Sequence, residues 1–127
     1  MDLPPLIPAG RQIVESYAAG GFRVSGRRHD GSILVFTDRT LGFAAAEGVP
    51  LAEDAFGPVL AAGRAGEVEL LVLGCGKRAA PVPAALRQTL RDAGVVVEPM
   101  DTGAACRTYN LLMAEGRRVA AALIALS

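Results

Sequence analysis

Met100-Asp101-Thr102-Gly103-Ala104-Ala105-Cys106-Arg107-Thr108-Tyr109-Asn110-Leu111-Leu112-Met113-Ala114-Glu115-Gly116-Arg117-Arg118 follows one apolar run, Val95-Val96-Val97, and precedes another, Val119 to Leu126. Asp101 or Thr102 can cap a helix starting near Ala104 by accepting from its unpaired N–H groups, and Gly103 permits a tight entry. Projected at about 100° per residue, Ala105, Cys106, Tyr109, Leu112 and Met113 share one face, while Arg107, Asn110 and Ala114 share the other. Gly116 suits a left-handed helix end, with Arg117 beside the negative pole of the helix. An amphipathic helix between two buried strands places the chain in the α/β class.

Working outward, Val68 to Leu73 is a nearly continuous apolar run and predicts a strand buried on both faces. A helix from Pro83 to about Ala93, with Leu86 and Leu90 one turn apart and Gly94 as its stop, leads to Val95-Val96-Val97. Upstream, Leu51 to Ala65 has helical spacing with Glu53 and Asp54 in its first turn. Pro58 should kink or split it, and Gly63 and Gly66 mark its end. Thr37 to Pro50 is expected to be a loop. Residues 12–37 predict an antiparallel meander, with a turn at Ser25-Gly26, a hairpin at Asp30-Gly31 and Ser32 to Phe36 as the returning strand. Residues 1–11, with Pro4, Pro5 and Pro8, are expected to form an extended N-terminal arm. The domain reading is thus the arm at 1–11 and one α/β domain over 12–127, a mixed sheet covered by helices.

Composition excludes several classes. A chain of 127 residues, 51% of them hydrophobic, suits one core, and such a chain buries about two-thirds of its unfolded surface. Thirteen basic and thirteen acidic residues cancel, so there is no electrostatic footprint for nucleic acid, and with no Trp, two Tyr and four Phe stacking platforms are poorly supplied. Cys75, Cys106 and the single histidine, His29, match no metal-ligand spacing, and neither a metal nor a cofactor is expected. No apolar run approaches the roughly 20 residues that span a bilayer, and the N-terminus lacks the features of a signal or transit peptide. The expected location is the bacterial cytoplasm.

Two loops follow strands that a helical crossover would make parallel, so Gly74-Cys75-Gly76-Lys77 and Asp101-Thr102-Gly103 should meet at one carboxyl edge of the sheet, where α/β folds bind ligands. Gly74-Cys75-Gly76-Lys77-Arg78-Ala79 fits the glycine pattern of dinucleotide sites, with Glu98 near the place of the ribose-binding acid. Pro81 and Pro83, however, delay the helix that would have to meet the pyrophosphate. Gly74, Cys75, Gly76, Lys77, Thr102, Arg107 and Asn110 form the candidate binding or interaction edge. Asn110, a poor mid-helix residue, is expected either to bond a neighbouring loop such as Gly74–Lys77 or to be exposed. Cys106, near a helix start and beside Arg107, is a candidate reactive thiol. Cys75 could approach it if the two loops meet.

The order of features, and above all Thr102, Ala105, Thr108, Tyr109, Asn110, Leu112, Glu115, Gly116 and Arg117 in the pattern Thr-x-x-Ala-x-x-Thr-Tyr-Asn-x-Leu-x-x-Glu-Gly-Arg, resembles a known family. It is the domain-of-unknown-function family that includes mitochondrial respiratory complex I (NADH:ubiquinone oxidoreductase) assembly factor 3 and uncharacterised bacterial proteins. The resemblance covers about Ile13 to Leu126. It implies a three-layer α/β fold with a mixed sheet of about five strands, the last antiparallel to its neighbours, and an extra hairpin on one side. Cys75 stands where the family usually has a threonine.

The expected function is that of a non-catalytic interaction protein of the assembly-factor type. Its partner would be a protein, with peripheral association with a membrane complex or a homodimer as further forms. The alternative is a small-molecule or anion-binding protein, an enzyme being one form of it, using a crevice at the carboxyl ends of the strands at 68–73 and 95–99.

Overall fold

The computed structural model describes residues 10–127, so all of the expected arm but Gly10 and Arg11 lies outside the described residues. In chain order the elements are β1 (Val14–Ala18), β2 (Gly21–Val24), β3 (Arg27–Asp30), β4 (Ile33–Val35), β5 (Thr40–Gly42), a 3-10 turn (Glu53–Phe56), α1 (Gly57–Arg64), β6 (Leu70–Gly74), α2 (Ala84–Asp92), β7 (Val96–Met100), α3 (Thr102–Ala114) and β8 (Val119–Leu123). Strands β1-β2-β3 form a small antiparallel sheet, and a five-stranded sheet runs β5-β4-β8-β6-β7. Pro58 does split the predicted helix: the 3-10 turn precedes it, and the proline sits at the start of α1, where a missing N–H costs no helical bond.

Alternation along the central strands builds two cores. Leu34, Leu71, Leu73, Ala120 and Ala122 face Val59 of α1 and Leu86 and Leu90 of α2. The intervening Ile33, Val35, Val72, Val119 and Ala121 face Ala105, Cys106, Tyr109 and Met113 of α3 together with Val14, Phe22 and Val24 of the small sheet. A strand turns successive side chains to opposite faces, so these continuous apolar runs feed both cores. The layers are α1 with α2, the five-stranded sheet, and α3 beside the small sheet. Helix α2 links β6 to a neighbour on one side, and α3 carries the chain back past β6 to β8. Crossovers of one hand moving in opposite directions must lie on opposite faces, as α2 and α3 do.

Three expectations are corrected. The residues 12–37 are not one meander, because β4 leaves the small sheet and pairs with β8 and β5. Asp30-Gly31 is the point of departure, with Gly31 at φ +77°. The β2–β3 hairpin turns instead at Ser25-Gly26, both at positive φ (45° and 84°), the conformation that a two-residue turn between twisted strands needs. The loop expected over Thr37 to Pro50 also contains β5. In addition, β8 is not antiparallel to both neighbours: it runs antiparallel to β4 and parallel to β6, because α3 returns the chain in the direction of β7.

The β7 edge of the central sheet is blunted. Val96 and Met100 direct backbone groups toward β6, so alternation turns Val97 and Pro99 outward. Pro99 has no N–H, and an Arg87 Nη1 group donates to the Val97 carbonyl at 3.2 Å. Both devices oppose pairing with another strand.

Candidate functional site

The carboxyl edge forms as expected, but its polar groups bond one another. Asp101 caps α3, its Oδ1 accepting from Ala104 N at 2.9 Å. Thr102, wholly buried, accepts the Gly76 N–H on its hydroxyl oxygen at 2.9 Å and donates to the Ile124 carbonyl at 2.7 Å. Thr102 N in turn donates to the Gly76 carbonyl at 2.8 Å, Cys75 N to Met100, and Ile124 N to Gly74. One threonine thus ties the ends of β6, α3 and β8. Gly74 permits this contact: a Cβ there would stand 3.0 Å from Thr102 Cα and 3.1 Å from Ala105 Cβ.

The loop Gly74-Cys75-Gly76-Lys77 does hold an anion, and it comes from the chain itself. Glu47 Oε2 accepts the Lys77 N–H at 2.8 Å, and Oε1 accepts both the backbone N–H and the hydroxyl of Ser127 at 2.8 Å. Gly76, at φ +99°, lacks a Cβ where one would overlap the Glu47 carboxylate. The Lys77 N–H first, then the two Ser127 donors, hold the Glu47 carboxyl down at about 2. Sequence reading passed over Glu47, a lone acid in a loop without period. The one signal for it was Gly76, a glycine needed for close approach rather than for phosphate.

The remaining candidates separate. Asn110 bonds neither the Gly74–Lys77 loop nor solvent alone: Val14 N donates to its Oδ1 at 2.9 Å, and its Nδ2 donates to Val14 O at 2.8 Å. The Tyr109 hydroxyl lies 2.8 Å from the Gln12 carbonyl and 3.1 Å from that of Phe36, and burial pushes its pKa up. Arg107 is exposed on α3.

Cys106 is buried against the α3 side of the sheet, and burial pushes its thiol up to about 12 against the smaller opposing pull of Arg107. That is the reverse of the reactive-thiol expectation, because loss of solvent outweighs one exposed charge. Cys75 packs in the opposite core, so the sheet separates the two thiols. Among the described residues, no group of three or more His, Cys, Asp or Glu side chains converges to hold a metal.

A crevice of about 350 Å³ opens beside the Glu47 seat, lined by Val49, Leu51, Leu73, Cys75, Pro81 and Ile124 among others. It meets the end of β6 and the residue after β8, not β7 as expected. The gap between β6 and β7 is closed by the Cys75–Met100 and Thr102–Gly76 bonds.

Fold and site together define a three-layer α/β domain whose most distinctive polar residues bind its own layers. The solution structure of a Bordetella pertussis protein described as an Mth938-like domain is similar, with a TM-score of 0.82 at 28% identity, covering 100% of this chain and 95% of that one. The chain belongs to the family described as Protein of unknown function (DUF498/DUF598), whose model matches residues 14–124. It is 37% identical over 118 residues to an uncharacterized protein of Rhodobacter capsulatus, covering 91% of this chain and 86% of that protein. It is 32% identical over 112 residues to NADH dehydrogenase (ubiquinone) 1 alpha subcomplex assembly factor 3 of Homo sapiens, covering 87% of this chain and 59% of that protein. The chain therefore spans less than two thirds of this relative's length. No helix among the described residues is long and apolar enough to cross a membrane.

Proposed function

We propose that the protein is a non-catalytic interaction protein that assists the assembly of a respiratory membrane complex, associating with it peripherally from the cytoplasmic side. One observation carries the reading: the residues by which the chain resembles the assembly-factor family serve architecture. Thr102, Tyr109 and Asn110 all bond backbone groups of their own chain, so the family pattern reads as a scaffold for surfaces rather than a set of reacting groups. The partner-facing surface is the carboxyl edge, where Lys77 and Arg78 are exposed next to the crevice and Val49 is 58% exposed on its rim. Because β7 is blunted by Arg87 and Pro99, contact at this edge is made through side chains and not by strand addition.

The test is purification of the tagged protein from its source cells in mild detergent after lysine crosslinking. Recovery of respiratory-complex subunits joined through Lys77, and their loss with a Lys77→Glu, Arg78→Glu variant of unchanged stability, is the expected result. Recovery of the protein alone overturns the reading.

A further inference from the structure

The Glu47 seat and the crevice are neighbours by construction. Glu47 is flanked by Ala46 and Gly48, and Lys77 follows Cys75 and Gly76; Ala46, Gly48 and Cys75 all line the crevice. On one side is a set of donors that demonstrably suits a carboxylate: the N–H of Lys77, the N–H and hydroxyl of Ser127, and the Lys77 charge close enough to favour an anion. On the other side is a concave apolar wall of Leu51, Leu73, Pro81 and Ile124, in the size range of small-molecule sites.

We propose that seat and crevice form one binding site for amphiphilic monocarboxylates, a linear acyl chain ending in a carboxylate, with Glu47 as the resident occupant that the ligand's headgroup displaces. The two halves are each necessary. Glu47 is tethered to its seat and competes at a high effective concentration, so a free carboxylate with no tail does not displace it. Burial of an acyl chain against Leu51, Leu73 and Ile124 supplies the missing affinity. A tail without a carboxylate, in turn, gains nothing from the vacated donors. The site goes beyond the interaction role and does not depend on it, since subunit recovery and ligand binding are read separately.

Sodium octanoate, sodium acetate and 1-octanol, titrated into the full chain and followed by amide and methyl NMR shifts, test this. Octanoate is expected to move the Gly76, Lys77 and Ser127 amides together with the methyls of Leu51, Leu73 and Ile124, while acetate moves none of them. Glu47→Ala, which removes the competitor, should bind octanoate at least about tenfold tighter with no matching gain for 1-octanol. Glu47→Gln, which keeps an acceptor but loses the charge, should give a smaller gain and serves if the alanine variant folds poorly. Ala80→Trp, which adds bulk to the crevice wall and leaves residue 47 unchanged, should abolish octanoate binding. Absence of octanoate shifts in both the native chain and the folded Glu47 variants overturns the site. So does a gain for 1-octanol equal to that for octanoate, or undiminished binding in folded Ala80→Trp.

Discussion

Asn110 holds both backbone groups of Val14, accepting its N–H at 2.9 Å and donating to its carbonyl at 2.8 Å. The side-chain amide mimics the edge of a neighbouring strand, so α3 takes one place in the ladder of the small sheet. β1 bulges between Val14 and Ser16, and at that irregularity the helix supplies what a regular strand would. Asn110→Leu leaves two partly buried backbone groups unpaired and should cost about 1–3 kcal/mol. Denaturant midpoints measure the loss. Hydrogen exchange should place it first in β1, and an even loss of protection across both sheets would count against the clamp.

Thr102 offers a sharper comparison because isosteres separate shape from bonding. Thr102→Val keeps the volume but strands the Gly76 N–H and the Ile124 carbonyl inside a site with no solvent access. A loss of about 1–3 kcal/mol is expected. Thr102→Ser retains donor and acceptor and should recover most of it. If valine proves no worse than serine, the bonds contribute nothing beyond packing.

How far the sequence discloses this architecture depends on the length scale of each interaction. The strands β6 and β8 are legible because burial on both faces demands unbroken apolar runs, and Leu71-Val72-Leu73 and Ala120-Ala121-Ala122 are such runs. The departure of β4 is harder, since Asp30-Gly31 has the same local chemistry whether the chain turns back or moves to a second sheet. The distinguishing signal is Ile33-Leu34-Val35, buried at all three positions, where a half-exposed meander strand would alternate. Asn110 and Glu47 lie beyond such reading: their bonding residues, Val14 and Lys77, are 96 and 30 positions away. Helical projection separates buried from outward positions on α3, yet it cannot say that another sheet flanks the helix on Asn110's side.

Gly63, next to last in α1, serves close packing as well as lying at the helix end. A Cβ there would stand 2.5 Å from Val95 Cγ2 and 2.7 Å from the Ala93 carbonyl oxygen. The backbone oxygen cannot rotate away, so α1 must shift from the turn that ends α2. Gly63→Ala should destabilise by about 1–3 kcal/mol, despite alanine's better helix propensity. Gly42→Ala, in open space on β5 and without a positive φ, is the control and should be nearly neutral or stabilising. Equal effects at both positions would remove the clearance argument.

Glu47 makes stability depend on acid in a defined window. Its carboxyl is lowered from 4.5 to about 2 in the folded chain, chiefly by the Lys77 N–H. A depressed folded pKa means that the native state favours the charged form, so the contribution is complete above about 4.5 and disappears as pH falls toward 2. Glu47→Gln should therefore be less stable than the native chain at pH 6, and the gap should narrow through pH 4 and pH 3. Denaturant midpoints at those three values check the sign. A gap that stays constant, or widens in acid, is incompatible with these hydrogen bonds.

The two thiols should part company by mechanism of access. Cys106 lies past the first turn of α3, in contact with the core formed by Val72, Ala105 and Tyr109, and only 4% of its surface is exposed. Burial raises its pKa to about 12, an effect the neighbouring Arg107 opposes without offsetting, so the nucleophilic thiolate is scarce at neutral pH. Iodoacetamide at pH 7.5 should leave Cys106 unmodified in the native chain and label it only in step with unfolding as urea is added. Cys75, half-buried on the crevice wall, should be labelled without unfolding. Mass spectrometry of the digested protein separates the two sites. Native-state labelling of Cys106 at the rate of an exposed thiol would show that the α3 face opens locally and would restore it as a candidate reactive group.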